Sequence, residues 1–455
     1  MKKVFCTIVL MLLIAGTSYA QATFSMTGNY WAEGKYWFNY NATPGTDATY
    51  SEKSFGFYEQ DINLYPKITM ENTSLNFRVA ITDVYWGAPD ADSDEGINQS
   101  APDTNANDDN IQIERAYLRH IMGKWILDVG LMDGTQWATT FGDDQQAQWR
   151  VKFMGNTALG LVGAVLEKNR EWGAEDDTLE GEDRDSYGLF AITKAGPVFI
   201  KPLLWYVNYG DLYRGSALDI PAYGNLGSTL NAKMTVFNPV LGFDGDLGVV
   251  SFESEINYKM YNLEVDSLNV DEDFSTLGLY LKVWKALDAM TPGIVLAYGS
   301  YDTGLGDAAY DYAVAANPLG AAACVGAMGS AGFDFEDDFN STIILGDEYG
   351  WGGGDDLKAV TLFKVYVNDI ATGIDPLTLN FYAAYIMSNQ EATNVGANAY
   401  EDATAWEASL GADYSITNNL KYSIYGAYAD ISYDVTGIDD PDSVYILANA
   451  ISFTF

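Results

Sequence analysis

From Phe24 to Tyr40 the chain alternates without a break. The even positions carry Phe24, Met26, Gly28, Tyr30, Ala32, Gly34, Tyr36, Phe38 and Tyr40, none of them charged, and the odd positions carry Ser25, Thr27, Asn29, Trp31, Glu33, Lys35, Trp37 and Asn39. Successive side chains of a strand point to opposite faces, so this run has one oily face and one wet one. Soluble strands average about 5 or 6 residues, whereas a strand tilted across a bilayer needs roughly 9 to 11. Backbone N–H and C=O groups in hydrocarbon must all be paired, so a sheet crosses a membrane only as a closed barrel.

The pattern recurs along the chain. Tyr58, Ile62, Leu64, Ile68 and Met70 oppose Glu59, Asp61, Asn63, Lys67 and Thr69, and Val250, Phe252, Ile256, Tyr258 and Met260 oppose Glu253, Glu255, Asn257 and Lys259. Strands are expected at 24–40, 55–70, 75–86, 111–121, 125–132, 147–154, 158–168, 186–193 and 198–210. The second half adds 229–242, 248–261, 274–284, 293–301, 357–368, 377–388, 404–414, 419–430 and 443–455. This predicts an all-β, closed antiparallel transmembrane barrel of 18 strands, with 16 as the alternative if the hairpin at 186–210 is misread.

Short connections, such as 71–74, 122–124, 155–157, 244–246 and 415–418, alternate with long polar ones, such as 87–110, 169–185, 262–273 and 302–356. Short periplasmic turns and long outer loops are the mark of an outer-membrane barrel. Residues 1–20 have Lys2 and Lys3, an apolar run from Val4 to Ala15, then Ser18 and Ala20, the order of a cleaved export signal. That leaves 21–455 as one barrel domain. The rival reading is a secreted acidic β-sandwich or lectin.

The export signal, the period-two strands, the alternating connections and the ending Ile451, Phe453, Phe455 resemble the general porins of Gram-negative bacteria across the whole mature chain. The stretches INLYPKITMENTSLNFRVAITDVYW and IQIERAYLRHIMGKWILDVGLMDG look like porin hairpins. The resemblance implies a bacterial outer-membrane location, a homotrimer and contact with outer-membrane lipid and lipopolysaccharide.

The chain has 24 Lys+Arg against 63 Asp+Glu, a net charge of −39, which speaks against a nucleic-acid partner. Of the 22 bases beyond residue 20, 15 fall in expected strands, but only 12 of the 63 acids do. A base facing lipid at mid-depth costs about 2 to 4 kcal/mol, so the strand bases are expected to line the lumen. Arg78, Arg150 and Lys152 face away from apolar rows, while Arg115 and Arg119 share their parity with Ile111, Ile113 and Tyr117 and are assigned to the lumen on charge cost alone. These five form an expected basic ladder on one wall. The resemblance implies that the loop MDGTQWATTFGDDQQ folds inward and sets Asp133, Asp143 and Asp144 against that ladder. The bland alternative is that the arginines pair with lumen acids such as Glu114 and Asp128.

The expected function is a water-filled channel for passive diffusion of ions and small hydrophilic solutes, weakly cation-preferring because the outer loops are acidic. A solute-selective channel, for example for sugars, is the alternative, with Trp31, Trp37 and Tyr382 as lumen aromatics that could stack on rings. A structural or partner-binding barrel with an acidic coat is the alternative of another class. Enzymatic activity is not expected, since His120 is the only histidine and is placed on the outer face, opposite in direction to Arg119. No cofactor is expected. Divalent cations bridging the acidic outer loops are a weaker expectation, and Asp90, Asp92 and Asp94 alternate like calcium ligands, but Gly96 is one residue late and Ala101 replaces the closing glutamate. Loop 302–356, which contains Cys324, is read as capping the mouth, folding into the lumen or carrying a short helix.

Overall fold

The computed structural model describes residues 22–40, 53–85, 111–133, 137–142, 147–170, 184–209, 232–265, 270–302, 331–336, 339, 341–348, 357–391, 400–434 and 440–455. The strands are β1 (Thr23–Tyr40), β2 (Lys53–Met70), β3 (Thr73–Tyr85), β4 (Ile111–Met122), β5 (Trp125–Asp133), β6 (Ala147–Thr157), β7 (Gly160–Arg170), β8 (Arg184–Ala195), β9 (Val198–Tyr209) and β10 (Ala232–Asp246). They continue as β11 (Ser251–Val265), β12 (Val270–Trp284), β13 (Thr291–Gly299), β14 (Tyr301–Asp302), β15 (Ala331–Gly332), β16 (Val360–Ala371), β17 (Leu377–Ser388), β18 (Thr404–Ser415), β19 (Leu420–Ser432) and β20 (Val444–Thr454).

All but β14 and β15 form one 18-stranded antiparallel sheet in which β1 pairs with both β2 and β20, so the sheet closes on itself. Phe455 completes the seam, its N–H and C=O exchanging hydrogen bonds with Gly28 at 2.9 and 2.8 Å. The weak hairpin at 186–210 is present as β8 and β9, which decides for 18 strands over 16. β14 and β15 form a separate two-residue ribbon.

Strand faces follow the alternation. In β1, Phe24 is 64% exposed on the outside while Trp37 is 1% exposed inside the barrel. Outward rows such as Leu189, Leu204, Phe381 and Leu410 make an apolar belt. Aromatics rim it at both ends: Trp406, Tyr428 and Tyr445 pack tilted and edge-on at the long-loop end, and Trp125 stacks on Phe153 and Phe453 on Phe455 at the short-turn end. This is the girdle arrangement of a membrane barrel. Among the described residues no helix is long and apolar enough to cross a membrane.

Several expected boundaries move. The turns expected at 155–157 and 244–246 lie further on, at 158–159 and 247–250, and the loop expected at 262–273 is mostly strand, with β11 running to Val265 and β12 starting at Val270. Beyond the lipid belt a strand needs no apolar row. There Asn262 bonds Asp271 and Asp273 across the ladder, each at 3.1 Å, so a polar stretch still pairs.

The hydrophobic core sits inside the barrel and on one side of it. Trp37, Phe141, Tyr280, Phe333, Leu345 and Ile386 belong to one buried cluster built from the wall and from two segments that enter the lumen.

Candidate functional site

The five expected ladder bases all lie on the lumen face, and a β-bulge explains how Arg115 and Arg119 reach it. Arg78 of β3 pairs with Arg115, but the next residue, Val79, pairs with Ile113, so Glu114 is the extra residue. A bulge reverses strand parity at that point. Ile111 and Ile113 are therefore lipid-facing, at 51% and 59% exposure, while Arg115, Tyr117 and Arg119 share the lumen face with Arg78, Asn76 and Ser74. His120 points outward, its Nδ1 2.8 Å from Thr73 Oγ1.

Each of these bases has polar company on the wall. Arg119 donates to both oxygens of Asp128, at 2.7 and 2.9 Å, and Lys152 approaches the same fully buried carboxylate at 3.9 Å. Arg150 pairs with Glu167, and Arg78 donates to Asn63 at 3.0 Å and pairs with Glu114. Bidentate, charge-assisted contacts of this kind fix side-chain direction as well as charge. The wall of β2 to β8 is thus a row of alternating charges, with the side chains of Arg78, Glu114 and Arg119 still 27 to 34% exposed.

Opposite this wall the lumen is filled. Residues 137–142, between β5 and β6, reach across to β9–β12: Trp137 donates to the Lys201 carbonyl at 2.9 Å, and Thr139 donates to Glu255 through both its N–H and its hydroxyl, at 3.2 and 2.7 Å. Asn257 donates to the Gly142 carbonyl at 3.1 Å. Gly242 on β10 makes this approach feasible, since a β-carbon there would occupy the space of Ala138. Residues 331–336, 339 and 341–348 enter from the stretch between β13 and β16, the last of them in a π-helical turn, Ile344–Glu348. Of the three readings of loop 302–356, its described part both folds into the lumen and carries this short helix.

The two segments meet at Phe141, whose fully buried ring lies 4.7 to 5.3 Å from those of Phe333, Phe335 and Phe339 and 5.5 Å from that of Tyr280. Each such ring contributes about 1.5 to 3 kcal/mol by burial. Gly278 on β12 leaves the space into which the Phe333 ring fits. Lys259 anchors the second segment through Glu336 at 3.1 Å and lies 5.0 Å over the Phe333 ring.

A second anchor is Glu407 on β18. Its buried carboxylate accepts the N–H groups of Ile343, Ile344 and Leu345, at 2.8 to 3.2 Å, and the Tyr382 hydroxyl. Charge-assisted bonds to a carboxylate in a dry setting are among the stronger polar contacts in a protein. Sequence reading missed Glu255 and Glu407 as functional residues. Their signal was present, since both are acids inside strands in a chain that keeps its acids in loops.

Between the segments and the wall of β11–β17 lies a cavity of about 720 Å³ lined by Glu253, Lys282, Trp284, Lys364, Tyr366 and Tyr382 among others. Glu253 accepts from the Tyr280 hydroxyl at 2.7 Å and from Lys282 at 3.2 Å. Of the expected lumen aromatics, Tyr382 lines this cavity, Trp37 is buried in the aromatic block, and Trp31 stands beside Asp61 on the β1–β2 wall.

Asp143, Asp144, Asp90, Asp92, Asp94 and Cys324 lie outside the described residues, as does the side chain of Asp133, whose backbone closes β5. Among the described residues no group of three or more His, Cys, Asp or Glu could hold a metal ion.

A closed 18-stranded barrel with an apolar belt, aromatic girdles and segments folded into its lumen has the architecture of the outer-membrane porins. Both fold and belt are those of a protein of the bacterial outer membrane. Solved structures similar to it include a BenF-like porin from Pseudomonas fluorescens Pf-5, at TM-score 0.51 and 11% identity over 95% of this chain and 98% of that one. OccK9 (OpdG) of Pseudomonas aeruginosa is similar at TM-score 0.51 and 10% identity over 95% and 99%, and the outer-membrane protein OpdK of the same species at 0.50 and 9% over 95% and 98%. No family model and no curated protein matches the chain.

Proposed function

We propose that the chain is an outer-membrane porin whose water-filled path, for passive diffusion of ions and small hydrophilic solutes, runs between the charged wall of β2 to β8 and the inward block. The observation that carries this is the asymmetry of the lumen: a row of charge, with the side chains of Arg78, Glu114 and Arg119 27 to 34% exposed, faces a dry aromatic block anchored on the far side. Fixed opposite charges along a wet path favour polar solutes over apolar ones. In this reading the channel is weakly cation-preferring. The ladder bases are offset by Asp128, Glu114 and Glu167, which leaves the acidic outer connections to set the potential at the mouth.

A solute-selective channel is the second reading, favoured by the cavity beside Trp284 and Tyr382. The porin reading also carries a homotrimer embedded in lipopolysaccharide, with divalent cations held at the acidic outer connections. Proteoliposome swelling tests it: neutral sugars should enter at rates that fall steeply with size, and a KCl gradient should give a reversal potential displaced toward the cation. Impermeable liposomes would favour the structural, partner-binding barrel.

A further inference from the structure

We infer that the cavity under the inward segments binds one neutral, ring-shaped polyhydroxylated solute of monosaccharide size. The inference rests on the porin reading and names the solute class of its second form. The volume of about 720 Å³ falls within the range of small-molecule sites, roughly 300 to 1,000 Å³.

Its chemistry is mixed in a specific way. Trp284 and Tyr366 supply aromatic surface with polar tips, suited to a solute that is apolar on its ring face and polar at its edge. Tyrosine hydroxyls and Asn368 supply groups that both donate and accept, as a sugar hydroxyl requires. Ser341 lines the cavity at 6% exposure. Glu253 uses only Oε1 for Tyr280 and Lys282, and Oε2 has no partner among the described residues, leaving an acceptor for a ring hydroxyl.

The charges select a neutral solute. Lys282 is held by Glu253 and lies 5.1 Å over the Trp284 ring, while Lys364 lies 4.2 Å over the Tyr382 ring and donates to the Ser341 carbonyl. Glu407 stands two strands from Lys364 in the same cross-strand row. Lys282 is thus paired with Glu253, and Lys364 is engaged by the Tyr382 ring and the Ser341 carbonyl, so each cation already has a partner in the wall. The cavity lies between the roof formed by Phe339 and Ser341 and the short-turn end, where β12 ends at Trp284 and β13 starts at Thr291.

The test is interruption of single-channel current by D-glucose, by the uronate of the same ring and by inorganic phosphate, each scaled to the variant's own open-channel current. Glucose should interrupt the current, and Glu253→Gln and Trp284→Ala should each raise its half-saturating concentration about tenfold, equivalent to 1.4 kcal/mol. Heat-modifiable migration on gels identifies folded variants, and Tyr366→Phe replaces any that fails. Equal half-saturation in wild type and variants, tighter binding of uronate or phosphate, or no interruption by glucose would each overturn the inference. If the barrel carries no current, the porin reading fails first. Calorimetric titration of glucose into the solubilised barrel then decides the site alone, heat of binding supporting it and none refuting it.

Discussion

The Glu407 carboxylate, fully buried on the lumen face of β18, accepts the backbone N–H of Leu345 at 2.9 Å. A wall residue thereby holds a segment that is 62 residues away along the chain and belongs to no strand. Glu255 on β11 does the same for Thr139, so the two inward segments share one mode of attachment: a strand glutamate facing a dry lumen and accepting main-chain donors.

Replacing Glu407 by Ala removes the acceptor of the Ile344 and Leu345 N–H groups and of the Tyr382 hydroxyl, while the Ile343 N–H keeps the Tyr382 oxygen at 2.8 Å. Each buried donor left unmade costs about 1 to 3 kcal/mol, which exceeds what so short a segment recovers by staying in place. We expect a larger and noisier single-channel current in Glu407→Ala, with Glu407→Gln between it and wild type. Current traces that match wild type in both size and noise would show that the segment is held by its phenylalanines alone.

The Asp128 carboxylate neutralises Arg119 and, more distantly, Lys152. Asp128→Asn keeps the shape and deletes the charge, so the wall gains net positive potential. The reversal potential across a KCl gradient should move toward chloride. Removing one partner of a buried pair also costs about 3 to 5 kcal/mol, so the variant should unfold at lower denaturant concentration. A reversal potential that stays at the wild-type value would mean that this wall does not face the ion path.

Gly242 and Gly278 lie under Ala138 and Phe333. Gly278→Leu should displace Phe333 from its seat and open the aromatic block, while leaving the strand ladder intact. Tryptic digestion should then cut after Lys358 several times faster than in wild type, with barrel migration on gels unchanged. Equal digestion rates would argue against the close approach.

The bulge at Glu114 makes a prediction about parity. In a variant lacking Cys324, Ile113→Cys should resist a water-soluble thiol reagent and Arg115→Cys should react, although the two positions have the same parity. Equal reaction at both would mean an unbroken strand.

Much of the barrel was legible because lipid on one side and water on the other write a two-residue period into each strand. The period fades beyond the belt at both ends, which is why the ends of β10, β11 and β12 were misjudged. Parity at Ile113 and Arg115 could not be read, because a bulge leaves no mark in the alternation except the conflict it creates. The charges Arg78, Arg119, Asp128 and Arg150 were visible on one wall. The attachments of Glu255 and Glu407 were not, since they join residues 116 and 62 to 64 positions apart and depend on the path of segments that have no periodicity. In loop 302–356 the buried rings among the described residues are Phe333, Phe335 and Phe339.

The central claim is that water and ions pass through this barrel beside the inward block, and single-channel current from the purified protein in a planar bilayer tests it most directly. We predict stepwise, voltage-tolerant openings with a reversal potential displaced toward the cation in a KCl gradient. A bilayer that remains silent after insertion of folded barrel would contradict the account.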